Sequence, residues 1–292
     1  MIEVSPQMWK QRGRELRLLD RNVFVIDEGA REAPAIVFLH GFPTASWDWA
    51  PIWPELVKRY RLIALDFLGF GFSDKPRAHD YSIMEQADLT EALVRELGLK
   101  TFHVLSHDYG DTVAQELLAR QNQGSGAGQW LSLCLLNGGL FPETHRALFV
   151  QKLLLSRVGF LANRLFRQSA LDKSLQRVFG PETQPTQETL DAFWALIEYN
   201  NGKANFYKLI HYMSDRRRHR DRWVGALQEA SIPLAIINGS ADPISGAHMV
   251  TRYRQVVSEA HFIRELPDIG HYPQMEAPKA VAQAYEAFLR NF

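Results

Sequence analysis

Thr101-Phe102-His103-Val104-Leu105-Ser106-His107-Asp108-Tyr109-Gly110-Asp111-Thr112 is the stretch from which the rest of the chain can be read. Phe102, Val104 and Leu105 read as the end of a short buried strand, and Val113, Ala114, Leu117 and Leu118 follow at helical spacing. Between them Ser106 and Gly110 bracket Asp108. This small-x-Asp-x-Gly pattern matches a nucleophile elbow, a strained strand-to-helix turn that holds one side chain clear of a sheet. Small residues two before and two after the apex let the strand and helix backbones nearly touch. Placing the apex at Ser106 would put the bulky Val104 in one of those positions. The candidate nucleophile is therefore the carboxylate of Asp108 rather than a hydroxyl. The alternative reading makes Asp108 the N-cap of a helix starting at Tyr109.

Outward from the elbow, apolar residues over 15–27 suggest two antiparallel opening strands, and Ala35–Leu39 is a continuous apolar run suited to a parallel sheet. That run ends in His40-Gly41-Phe42-Pro43. An amphipathic helix is expected over 47–60 and a strand over 62–66, before the glycine-rich Leu68-Gly69-Phe70-Gly71-Phe72-Ser73-Asp74. Ser82 with Glu85 three residues later predicts a capping box for a helix reaching about Leu97. A soft connection at 121–129 leads to a strand over 131–136. From 141 to 227 β-type runs almost vanish and helical ones appear at 148–155, 190–197 and 206–213. Strands over 233–237 and 261–266 and helices over 249–257 and 273–289 close the chain. The pattern predicts an α/β protein with a mostly parallel eight-stranded sheet flanked by helices. Its core spans 1–140 and 228–292, with a helical cap inserted at 141–227.

The 292 residues are 46% apolar, enough for one large core with an inserted smaller unit. Lys plus Arg equals Asp plus Glu at 33 each, a balance that argues for neither nucleic acid nor an anionic membrane surface as partner. The single Cys134 excludes a disulfide framework and points to a reducing, cytoplasmic setting. The opening Met-Ile-Glu-Val-Ser-Pro-Gln does not read as a signal peptide, and no stretch is apolar enough to span a membrane. No cluster has metal-ligand spacing, and Gly69-Phe70-Gly71 carries only part of a dinucleotide fingerprint, so no cofactor or metal is expected.

A carboxylate nucleophile requires a base to activate water and an acid to orient that base, in the chain order nucleophile, acid, histidine. Asp242, in Gly239-Ser240-Ala241-Asp242-Pro243, and His271, in Gly270-His271-Tyr272-Pro273, each follow a predicted strand in that order. The backbone N–H groups of Phe42 and Tyr109 are placed to form an oxyanion hole. His103 and His107 read as packed structural groups, and Arg216-Arg217-Arg218-His219-Arg220 as the solvated end of a helix.

The segments HGFP, DFLGFGFSDKP, SHDYG, GSADP and GHYPQ together resemble the α/β-hydrolases of the epoxide hydrolase and haloalkane dehalogenase group. The likeness runs from about residue 30 to the C-terminus. It implies Asp108 as nucleophile, His271 as base and Asp242 as its orienting acid, acting through a covalent alkyl-enzyme ester. Dehalogenases of this group hold the halide with an indole N–H beside the nucleophile and an amide after the HG pair; here Tyr109 and Phe42 occupy those positions, which disfavours dehalogenation. Epoxide hydrolases use two cap tyrosines. Tyr212 matches one, and no tyrosine lies between Phe141 and Trp194 to match the other. His40, Asn137 and Trp194 complete the residues expected to bind substrate. The expected partners are a hydrophobic small molecule and water, with a homodimer as a further expectation. Phe149, Leu153, Phe160 and Trp194 suggest apolar cap walls. Ester, thioester or lactone hydrolysis, or a non-catalytic ligand site, are the alternatives.

Overall fold

The computed structural model describes residues 4–257 and 262–291. Eight strands form one sheet: β1 (Arg14–Leu18), β2 (Arg21–Glu28), β3 (Ala35–Leu39), β4 (Arg61–Leu65), β5 (Thr101–His107), β6 (Gln129–Leu136), β7 (Leu234–Gly239) and β8 (Phe262–Leu266). They lie in the order β1-β2-β4-β3-β5-β6-β7-β8, antiparallel where β2 meets β1 and β4, and parallel from β4 onward. The α/β-hydrolase architecture is thus as expected. β3, an unbroken apolar run, and β4, apolar after an Arg61 that pairs with Asp27 at 2.7 Å, are buried along their whole length, as strands covered on both faces must be. Among the described residues no helix is long and apolar enough to cross a membrane.

Several elements depart from expectation for local reasons. The opening pair is antiparallel as expected, a tight hairpin whose two turn residues, Leu19 and Asp20, both adopt positive φ (46° and 63°), as a two-residue primed turn demands. The helix expected over 47–60 is a 3-10 turn (Ser46–Trp49) and a single turn (Trp53–Leu56), because Pro51 and Pro54 interrupt the hydrogen-bond ladder. Its apolar spacing comes from Trp47, Trp49 and Trp53, all buried. The run 206–213 divides into Phe206–Leu209 and a helix over Tyr212–Arg218, joined where His211 and Met213 bond three residues back rather than four. The closing helix divides at Ala277, whose φ of −135° is what a following proline imposes, into Pro273–Glu276 and Pro278–Asn291. Ser82 accepts the Glu85 N–H as expected, while the Glu85 carboxylate pairs with His79 at 2.6 Å. His261, expected to open the last strand, and Met1-Ile2-Glu3 lie outside the described residues.

Between β6 and β7 the chain is helical: Phe149–Leu154, Gly159–Leu165, Gln168–Val178, Gln187–Glu198, then Tyr212–Arg218 and Arg220–Gln228. These helices cover the carboxyl ends of the parallel strands through ring contacts. Phe206 lies 5.0 Å from Phe42, Phe179 stacks on Tyr272 at 5.2 Å, and Phe193 lies 5.5 Å from Tyr272. The helix Arg220–Gln228 instead runs along Tyr109–Asn122, where Trp223 Nε1 and Arg222 Nε reach the buried Glu116 at 2.9 and 2.7 Å.

The elbow is a tight crossing of strand and helix. A Cβ on Gly110 would lie 2.1 Å from the carbonyl oxygen of Leu39, so strand β3 and the helix Tyr109–Asn122 touch backbone to backbone. Gly110→Ala is therefore expected to lower unfolding free energy by about 3 kcal/mol, the upper range for overpacking a rigid core. Urea denaturation checks this, and an unchanged midpoint would refute the close approach.

Candidate active site

Asp108 sits at the apex of the β5 turn with φ 44° and ψ −99°, a strained backbone that aims its side chain away from the sheet. Ser106 and Asp111 brace the turn from below, Ser106 Oγ donating to Asp111 Oδ1 at 2.5 Å. Burial pushes the Asp111 carboxyl well above the usual range. The Phe42 N–H donates to Asp108 Oδ2 at 3.2 Å, across the cis Phe42–Pro43 turn that follows β3. Tyr109 opens the following helix, whose first backbone N–H groups have no partner within the helix.

Asp242 leaves the end of β7 and is almost saturated with donors. Ile244 N–H reaches Oδ1 at 2.8 Å, while Oδ2 accepts from Ser245 N–H (3.1 Å), Ser245 Oγ (2.9 Å) and Asn137 Nδ2 (3.1 Å). His271 Nδ1 meets the same Oδ2 at 2.7 Å, and its Nε2 faces Asp108 Oδ2 at 3.9 Å. The His271 loop is pinned by its own N–H, which donates to the Val178 carbonyl at 2.8 Å, and by Gly239, whose Cβ would sit 1.9 Å from the Gly270 carbonyl. Beside it His107 Nε2 contacts the His271 carbonyl at 2.7 Å, so the proton is on Nε2. Burial, with His271 nearby, holds His107 neutral, its pKa down at about 3. His103 pairs with Ser132 Oγ at 2.8 Å. Both histidines are the packed structural groups expected.

The basic run at 216–220 is not wholly a solvated helix end. Arg217 and Arg218 are exposed, but Arg216 is 2% exposed and reaches inward. Its Nε donates to Thr112 Oγ1 at 2.7 Å, and Nη2 donates to the Asp108 carbonyl at 2.9 Å and to Oδ1 at 3.3 Å. Its guanidinium lies 4.6 Å over the Tyr212 ring. Composition alone favours the solvated reading. The available signal was spacing: Arg216 is four residues after Tyr212, so one helix face presents both.

Burial alone would raise the Asp108 carboxyl, but the His271 and Arg216 charges outweigh it and hold it below the usual carboxylate range. Asp242 lies at about 2 for the same reason, burial being overcome by His271 and its donors. Burial pulls His271 down, yet the anions Asp242 and Asp108 raise it to about 9. Against Asp108 lies a cavity of about 60 Å³, walled by Phe42, Leu148, Leu154, Phe166, Leu175, Val178, Phe206 and Tyr272. That is room for a few waters, far below a usual ligand pocket.

The other expected contacts sit behind these walls. His40 is fully buried, its Nε2 accepting the Phe67 N–H at 3.0 Å and Nδ1–H donating to the Gly41 carbonyl. Asn137 braces the Asp242 loop through Gly239 N–H and carbonyl, at 2.7 and 2.9 Å. Trp194 packs on Phe166 at 6.2 Å, one layer out. Tyr212 is buried with its ring 5.0 Å from Tyr109 and 5.8 Å from Phe42; burial and the Asp108 charge keep its hydroxyl protonated. Phe149, Leu153 and Phe160 point to solvent, because the helix Phe149–Leu154 turns Val150, Gln151 and Leu154 inward instead. Among the described residues, no His, Cys, Asp and Glu side chains cluster to hold a metal ion.

Because the His271 pKa is raised on folding, from 6.5 to about 9, its contribution to stability is complete below pH 6.5 and is lost as pH climbs through 9. A histidine NMR titration should find one imidazole with a pKa near 9. In Asp242→Asn that value should fall by about one unit or more, with a shallower loss of stability between pH 6.5 and 9.

Residues 36–284 match the family described as the alpha/beta hydrolase family. The mesoderm-specific transcript protein of Mus musculus is 45% identical over 301 residues, covering 99% of this chain and 90% of that protein. LipZ of Mycobacterium tuberculosis is 37% identical over 284 residues, with 97% and 98% covered. The crystal structure of a loop variant of haloalkane dehalogenase DbeA from Bradyrhizobium elkanii superposes with a TM-score of 0.79, 22% identity and 96% of each chain covered, a likeness of fold. The extent of the family match and the identity to these relatives place the chain in the alpha/beta hydrolase family.

Proposed function

We propose that this chain is a hydrolase in which Asp108 is a covalent nucleophile, His271 the base for the second step and Asp242 the acid that orients it, with an epoxide-bearing hydrophobic small molecule as substrate. The observation carrying this reading is the row of Asp242, His271 and Asp108, joined at 2.7 and 3.9 Å, with a carboxylate at the elbow apex. The Asp108 carboxylate attacks a ring carbon and the carbon–oxygen bond breaks. The alkoxide takes the Tyr212 hydroxyl proton, and an ester remains on Asp108. The His271 imidazolium then returns a proton to the Tyr212 phenolate through water, and the neutral imidazole takes a proton from the water that adds to the ester carbonyl, the oxyanion resting against the Phe42 and Tyr109 amides. The intermediate collapses with loss of the ester carbon–oxygen bond: the departing alkoxide takes the proton from His271 and leaves as the diol, and the freed Asp108 carboxyl gives its proton back to His271. Esterification cancels the Asp108 charge, one of the two anions that hold the His271 proton. The imidazolium thus becomes a base when the ester needs one. The helices of 141–227 act as a lid that opens for substrate, since 60 Å³ does not admit one.

One observation favours an ester, thioester or lactone as substrate instead. Tyr212 stands outside the cavity walls, where the cap hydroxyl present is that of Ser174, which donates to the Ala170 carbonyl at 2.8 Å; ester-type substrates need no tyrosine acid. The test is intact-mass spectrometry of His271→Gln incubated with epoxides, haloalkanes and esters. A stalled adduct on Asp108 is expected with an epoxide, and none in His271→Gln/Asp108→Asn. An adduct formed only from esters selects the second reading. Full turnover by purified Asp108→Asn, with deamidation excluded, would overturn both.

A further inference from the structure

The chain is neutral overall, yet residues 144–171 contain Arg146, Lys152, Arg157, Arg164 and Arg167 and not one Asp or Glu. All five side chains are exposed, and none makes an ion pair within the described residues. Glu143, the acid just before them, is already taken by Arg220 and Arg252. The same segment is where apolar side chains face water. Among the described residues nine large hydrophobics are exposed, and six lie here: Phe149 (77%), Leu153, Val158, Phe160, Leu161 and Leu165 (77%). Five project from two short helices, Phe149–Leu154 and Gly159–Leu165, that pack against each other, and Val158 stands in the turn between them.

Isolated exposed apolar residues are ordinary, but a cluster interleaved with unpaired cations is the composition of a surface that lies on charged lipid. Two other occupants fit less well. A second copy meeting this face about a two-fold axis would bring five cations against five. A nucleic acid would satisfy the cations but leave the Phe and Leu side chains in water. We propose that the outward face of these two helices docks peripherally on an anionic lipid surface, the apolar side chains entering the headgroup boundary and the cations facing lipid phosphates. The same helix that presents Phe149 and Leu153 outward lines the catalytic cavity with Val150, Gln151 and Leu154. Docking therefore puts the cavity mouth beside a store of apolar molecules.

The experiment is co-sedimentation of the full chain with phosphatidylcholine vesicles, with and without about 30% phosphatidylglycerol. Binding is expected on the anionic vesicles, weak on the neutral ones and reduced as ionic strength approaches about 1 M. Arg157→Glu/Arg164→Glu should weaken partitioning at least about 25-fold, at roughly fivefold per cation. Phe149→Ser/Leu165→Ser should weaken it with the charges intact, while Arg254→Glu, at a cation paired with Glu265 outside this segment, should have little effect. All are exposed positions, and circular dichroism verifies folding. Absence of sedimentation at low salt, or sedimentation indifferent to both double variants, overturns the proposal. So does a dimer in analytical ultracentrifugation that Phe149→Ser/Leu165→Ser dissolves. None of these readouts involves turnover, so their failure is separable from failure of the hydrolase mechanism.

Discussion

Four buried groups alternate in sign through the centre of this protein: Asp242, His271, Asp108 and Arg216. Each would be costly alone in so apolar a place, and the two carboxylates and the imidazole are kept charged by their neighbours. Asp242 is the anchor, with five donors fixing it to the end of β7 and to the loop after β6. Arg216 is the far end, delivered by a helix from the inserted segment. The row therefore ties three carboxyl ends of the sheet to an element that arrives from outside it. Its order depends on the tertiary fold being complete.

Much of the core was legible in the sequence because its signals are local. The elbow needs small residues at fixed offsets, and only Ser106 and Gly110 supply them; the contact of Gly110 with Leu39 is the reason. Buried parallel strands such as Ala35–Leu39 are unbroken apolar runs of strand length, closed here by His40-Gly41. The placement of Asp242 and His271 followed from chain order, since each comes directly after a strand.

What was not legible depends on direction rather than composition. Trp47, Trp49 and Trp53 mimic an amphipathic helix, yet Pro51 and Pro54 divide the segment and tertiary packing buries all three rings. Phe149 and Phe160 suit a pocket wall by composition, and the helix register turns them to water. Arg216 looked like one cation among four. Its neighbours in sequence are solvated, and only the helical period relating it to Tyr212 separates it from them. Overall neutrality likewise concealed five consecutive cations without an acid, because the compensating acids lie elsewhere in the chain.

Phe42 links two functions that are usually separate. Its amide holds the Asp108 carboxylate, while its ring lies between Phe206 and Tyr212 of the inserted helices. If those helices part to admit a molecule, as the proposed lid requires, the ring would lose both neighbours and the amide its lateral support, and closing would restore the two together. On that reading entry takes place with the amide slack, and bond making waits until the roof is seated. A molecule too large to let Phe206 return would be held but left unreacted, so size is judged by timing as much as by fit.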